Sequence, residues 1–116
     1  MNILSGDLAR ITGGRLVGSG SLPVTGIVID SRQASYSESQ VFFAIKGRNH
    51  DGHQFVVSLY GKGLRVFVIS ELRDEYRNLG DASFIHTSDT IDALQKLAAW
   101  KRASFTSPVI AVTGSA

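Results

Sequence analysis

The stretch Leu64–Ser70, LRVFVIS, is the most informative seven residues of this chain. It is a near-continuous apolar run rich in β-branched side chains, the pattern of a strand covered on both faces and not of one with a wet side. A strand of that kind belongs at the centre of a sheet. Working outward, QVFFAIKG (40–47) is a second buried strand ended by Gly47, and VTGIVID (24–30) is a third that delivers Asp30-Ser31-Arg32 at its end. ASFIHTS (82–88) and RLVG (15–18) read as shorter strands.

Helical patterns fall between them. Ser5 is placed to cap a short helix carrying Leu8, Ala9 and Ile11 that ends at Gly13-Gly14. QFVVSLYGKG (54–63) sets Phe55, Val56 and Leu59 on one helical face, and ELRDEYRNLG (71–80) reads as a solvated turn or short helix. Ser88 or Asp89 caps TIDALQKLAAWKRA (90–103), whose Ile91, Leu94, Leu97 and Ala98 form an apolar stripe with Lys and Arg toward its carboxyl end. Ser107-Pro108 breaks that helix, and VIAVTG (109–114) is expected as a closing strand. The alternation predicts an α/β fold with a mixed, largely parallel sheet flanked by helices.

The totals narrow the class. A chain of 116 residues is long enough to bury about two-thirds of its unfolded surface as one domain. Twelve basic and ten acidic residues leave a net charge of +2, too small for the basic footprint of a nucleic-acid binder. There is no cysteine, which removes disulfides and thiolate metal sites. The amino terminus MNILSGDLARITGG has no signal-peptide apolar core, and no run approaches the roughly 18 apolar residues of a membrane span, so a cytoplasmic location is expected.

In parallel sheets ligands gather beyond the carboxyl ends of strands, and two loops here have that position. In IDSRQ (29–33), Ser31 brings a hydroxyl and Arg32 a planar fork suited to phosphate oxygens, although the same tripeptide also serves as a plain turn. KGRNHDGH (46–53) concentrates Lys46, Arg48, His50 and His53 beside Asn49 and two glycines. That chemistry suits a pyrophosphate and a base edge; its alternative is a solvated connection. A metal reading of His50 and His53 has only Asp51 as a third ligand, and no metal is expected. His86 reads as a half-buried strand histidine and Trp100 as a packing residue. No spacing supports a nucleophile, a paired-carboxylate site or any catalytic set.

Taken in order, ITGGRLVG, IDSRQ, VFFAIKGRNHDGHQF, GKGLRVFVIS and VIAVTGS resemble the amino-terminal domain of the Mur ligases of peptidoglycan synthesis. The likeness spans nearly the whole chain and is greatest to the MurF type, which joins D-alanyl-D-alanine to UDP-N-acetylmuramoyl-tripeptide; several features are similar to forms fused to an alanine racemase. The resemblance implies a domain at 1–108 that docks UDP through Ile29, Ser31 and Arg32 in one loop and Lys46, Arg48, Asn49 and His50 in the other. It implies that 109–116 begins a central ATPase domain, with Thr113, Gly114 and Ser115 as an incomplete phosphate loop and Ala116 where the family has asparagine. ATP and Mg²⁺ would then serve the full-length ligase by forming an acyl phosphate, pyridoxal phosphate would serve a fused racemase, and this chain alone would be inactive. SYSESQ (35–40) replaces the family's Pro-Gly-Asp turn, and GLRVFV (63–68) replaces its Gly-Ala. The alternative is a small α/β regulatory or protein-interaction module that shares the fold without ligase activity.

Overall fold

A computed structural model describes residues 2–29, 37–48 and 51–113. Among these residues seven strands and three α-helices follow one another as β1 (Ile3–Leu4), α1 (Ser5–Thr12), β2 (Arg15–Val17), β3 (Pro23–Val24), β4 (Gly26–Val28), β5 (Gln40–Phe43), α2 (Val56–Gly61), β6 (Val66–Ile69), β7 (Ser83–His86) and α3 (Thr90–Thr113). The main sheet has the order β2-β7-β6-β5-β4. β4, β5, β6 and β7 run parallel, and β2 closes one edge antiparallel to β7. LRVFVIS therefore supplies the middle strand.

The apolar run of β6 follows from its two covered faces. Phe67 and Ile69 point into one cluster with Phe42, Val28, Leu59 and Tyr76, while Val66 and Val68 point into another with Val41, Phe43, Leu8 and Leu97. All four β6 residues are fully buried. Side chains alternate across a strand, so a sheet sandwiched between α2 on one side and α1 with α3 on the other requires apolar residues at every position. Trp100 packs against the α1–α3 side, in keeping with the packing role read from the sequence.

Three local expectations are corrected. Ser5 does not cap α1; Leu4 is the cap position, and its N–H is taken by the Asp7 carboxylate at 3.1 Å. Ser5 is instead buried inside the helix, where its hydroxyl donates to the Ser19 carbonyl at 2.6 Å and pins the loop after β2. The single strand expected over 24–30 is two strands, because the chain changes partner at Thr25: β3 pairs with β1, whereas β4 pairs with β5. Thr25 itself donates its N–H to the Ser39 carbonyl at 2.7 Å.

The third correction concerns the carboxyl end. α3 continues to Thr113 through Pro108, so Val109–Thr113 is helical and not the expected closing strand. A helix satisfies its backbone groups within its own segment, whereas a strand needs a neighbour, and among the described residues none pairs with 109–113. Pro108 removes only one intrahelical donor. Asp89 does begin this helix, accepting the N–H groups of Ile91 and Asp92 at 2.9 and 3.2 Å.

Phe67 carries the packing of one face: its ring is edge-on to Phe42 with centroids 6.5 Å apart and stacked on Phe84 at 5.6 Å. Phe67→Ala is expected to cost about 3–5 kcal/mol, since a central ring with no room to collapse leaves a cavity. Urea unfolding of wild type and variant measures this, and a midpoint shift near zero contradicts the assignment.

Candidate functional site

The parallel register brings the strand ends from which the two polar segments depart to one edge of the sheet. β4 and β5 are adjacent, with Val28 opposite Phe42, and both chains leave their strands in the same direction. Ile29 follows β4 directly and is 57% exposed, an unusual state for an isoleucine beside a core strand. Lys46 and Arg48 follow β5 on the same edge and are exposed. Ser31, Arg32, Asn49 and His50 lie outside the described residues, as do Gly114 and Ser115; Thr113 closes α3.

The excursion after β5 has a closed neck. Lys46 and Asp51 form an antiparallel bridge, and Gly52 donates its N–H to the Ile45 carbonyl at 2.9 Å. A Cβ on Gly52 would stand 2.8 Å from the Ile45 nitrogen and 3.0 Å from the Ala44 Cα, so only glycine allows the chain to return this closely. Asp51 then caps the 3-10 turn Gly52–Phe55 by accepting the His53 N–H at 3.0 Å.

His53 anchors this neck to the core. Its side chain is fully buried, its Nδ1 lies 2.7 Å from Asp51 Oδ1, and its Nε2 accepts the Ser70 N–H at 2.9 Å. An acceptor at Nε2 and an acidic neighbour at Nδ1 together assign the neutral ring with its proton on Nδ1. The His53 carbonyl accepts the Tyr76 hydroxyl at 3.0 Å, so ring and backbone are both tied to the chain that follows β6.

That following segment supplies the charge. Arg73 donates to Asp51 Oδ2 at 2.6 Å and to Glu71 Oε1 through Nε at 2.8 Å, with a second short contact from Nη2 to the same oxygen. Glu71 Oε2 lies 3.7 Å from Lys46 Nζ. Burial pushes the Asp51 carboxyl up, but hydrogen bonds from the His53 ring and backbone and from Arg73 outweigh it and hold the group at about 2. Asp51, His53 and Glu71 offer ligand atoms within 4.8 Å of one another, the geometry of a cation site. Arg73 already occupies that place: its guanidinium bonds both carboxylates, and both His53 ring nitrogens are engaged. The cluster is an ion-paired clasp.

Sequence reasoning found Lys46 and Arg48 but took 71–80 for a solvated segment, and so missed Glu71 and Arg73. The available signal was indirect: a central strand ending at Ile69 must release Ser70 and Glu71 beside the exit of its neighbour. His86, half-buried as expected, reaches the Ser70 carbonyl from Nε2 at 3.2 Å and steadies the same turn. A cavity of about 470 Å³ lies apart, between β2 and the β6–β7 crossover, with Val17, Tyr76, Leu79 and Phe84 in its lining. Its walls include Arg73 but not Ile29, Lys46 or Arg48.

The family model described as "Mur ligase family, catalytic domain" matches residues 23–102. This chain belongs to the Mur ligase family. It is 32% identical over 109 residues to the UDP-N-acetylmuramoyl-tripeptide--D-alanyl-D-alanine ligase of Haemophilus influenzae, covering 94% of this chain and 22% of that relative. It is also 32% identical over 88 residues to the UDP-N-acetylmuramoyl-L-alanyl-D-glutamate--2,6-diaminopimelate ligase of Phocaeicola vulgatus, covering 76% of this chain and 17% of that one. The chain thus spans about a fifth of the length of such curated relatives. Its fold is that of a segment of MurF from Acinetobacter baumannii, with a TM-score of 0.74 at 24% identity over 90% of this chain and 22% of that structure. The family implied by the motif resemblance and the one found by comparison agree, and so does the expected mixed, largely parallel α/β sheet. No helix among the described residues is long and apolar enough to cross a membrane.

The depressed Asp51 pKa carries a pH dependence with a fixed sign. The stabilisation is fully present above the ordinary carboxylate range near pH 4 and is lost as pH falls through about 2. Asp51→Asn removes it at every pH. The thermal midpoints of wild type and variant should therefore lie furthest apart above pH 4 and converge toward pH 2; a gap independent of pH contradicts the assignment.

Proposed function

We propose that this chain docks the UDP group of UDP-N-acetylmuramoyl-peptide within an ATP-dependent amide ligase of peptidoglycan synthesis. The observation that carries the reading is the placement of Ile29 with Lys46 and Arg48 at one carboxyl edge, just beyond the neighbouring parallel strands β4 and β5. Such edges collect ligands in parallel sheets, and two exposed cations with a glycine-permitted loop suit a diphosphate. Exposed Ile29 offers an apolar surface on which a planar base can lie.

The relatives narrow the ligand. One is named for adding D-alanyl-D-alanine and another for adding 2,6-diaminopimelate, yet both names contain UDP-N-acetylmuramoyl. This chain aligns with about a fifth of each at the same level of identity. A segment common to ligases with different amines is suited to the part of the substrate they share. We assign the acyl donor of this ligase as UDP-N-acetylmuramoyl-tripeptide and the amine as D-alanyl-D-alanine, the MurF-type pair, in a cytoplasmic reaction.

Ser31, Arg32, Asn49 and His50 complete the cradle in this reading. ATP and Mg²⁺ would supply the activation of the substrate carboxylate. In this proposal the part played by Ile29, Lys46 and Arg48 is binding and orientation. Thr113, Gly114 and Ser115 stand as the first residues of the phosphate loop in this proposal, and 109–116 as the entry to the central domain.

Titration of UDP-N-acetylmuramoyl-tripeptide into the chain, followed by amide chemical shifts, tests the reading. Binding in the millimolar range or tighter is expected, with the shifts concentrated at Ile29, Lys46 and Arg48. The double variant Lys46→Ala, Arg48→Ala should weaken it by at least about tenfold, as loss of charge-assisted contacts implies. Equal affinity in the double variant removes the loop from the site.

A further inference from the structure

We propose that His53 is a positioning residue for the diphosphate loop, acting through Asp51 and without touching the ligand. The inference rests on the UDP reading above, and adds to it a group that stands behind the contacting side chains. Its basis is the way in which one buried residue ties the neck of the loop at Asp51 to Ser70 through its ring and to Tyr76 through its carbonyl.

Lys46 and Asp51 are bridged through their backbones, so the place of Asp51 fixes where the Lys46–Arg48 segment departs. Asp51 is in turn fixed by its carboxylate. One oxygen receives the His53 ring and the His53 N–H, and the other receives Arg73. His53 is held from behind by the Ser70 N–H at Nε2 and by Tyr76 on its carbonyl. The loop that carries the cations is thereby referred to the carboxyl end of the central strand, whose four residues are fully buried. Among the described residues the groups that face Asp51 and His53 are Arg73, Glu71, Tyr76 and, through Ser70, His86; Lys46 completes the circuit on Glu71.

The alternative to positioning is plain stabilisation. A buried hydrogen-bonded histidine supports a fold wherever it occurs, and its loss would lower the unfolding midpoint with no selective effect on a ligand. Positioning differs because the Nδ1 contact reaches the neck of the loop while the Nε2 contact reaches the core. The two can be separated chemically. In His53→Gln, the side-chain carbonyl can take the place of Nε2 as acceptor for the Ser70 N–H, whereas the donor to Asp51 is removed. Neutral ring and neutral amide carry the same charge.

The test compares wild type, His53→Gln and Lys46→Ala by titration with UDP at several salt concentrations, followed through amide shifts, with ¹⁵N shifts of the His53 ring recorded for wild type. A protonated Nδ1 and an unprotonated Nε2 are expected in the ring. His53→Gln should bind UDP about tenfold more weakly, the effect of one charge-assisted hydrogen bond, with the salt dependence of binding unchanged. Lys46→Ala, which removes a direct phosphate contact, should instead reduce that salt dependence. If His53→Gln fails to fold, Arg73→Met serves as the second variant, since it frees the other Asp51 oxygen from a side chain only 27% exposed at the surface. A folded variant that binds UDP as well as wild type overturns the positioning role and leaves the UDP reading intact. A wild type with no UDP-dependent shifts overturns both.

Discussion

The double burial of β6 is the constraint from which the remaining structure follows. Val66–Ile69 has no solvent-facing side, so its backbone groups must be met by β5 and β7 and its side chains by two separate apolar layers. Unpaired polar groups at that depth would cost more than the fold can absorb. Parallel neighbours require crossovers over the faces, and those crossovers are α2 with its preceding turn on one side and the Asp74–Asn78 turn on the way to β7. Each crossover begins at the carboxyl edge. The segments that leave β4, β5 and β6 consequently start from one edge, where all three strands end.

The chemistry at that edge is built on charge balance. Two carboxylates, Asp51 and Glu71, stand against Arg73 and Lys46, with His53 neutral between the clasp and the core. This arrangement pairs the partly buried carboxylates with cations and leaves Arg48 outside the ion-paired set. It also explains why a triad with metal-like spacing is a structural device here: the guanidinium supplies the positive charge that two acidic groups demand. Because Arg73 bonds both acids, the β5 and β6 exits behave as one unit, which is what a fixed binding surface on adjacent loops needs.

Much of the fold was legible because its signals are local. Gly13 ends α1 in the left-handed conformation with φ 75°, Asp89 starts α3, and the runs at 40–43, 66–69 and 83–86 are strands as their composition implies. The errors share a cause. Thr25 reads as the interior of a strand, but the sheet to which each half belongs depends on Ile3-Leu4 and Gln40–Phe43, far away in sequence. At 109–113 the β-branched composition argues strand, yet without a paired neighbour the helix meets its own backbone needs. Ser5 has the composition of a cap, and burial beside the β2 loop gave it another partner.

Of the site, the sequence by itself determined which loops carry cations and that they follow apolar strands, since residue type and periodicity are properties of short segments. It also carried the family likeness, which the order of several motifs makes specific. Only the tertiary structure decided that β4 lies beside β5, and that Ser70, Glu71 and Arg73 close on Asp51 and His53 from 17 to 22 residues away in the chain. The physical reason is that hydrogen bonds and ion pairs act over a few ångströms in space and are indifferent to distance along the chain.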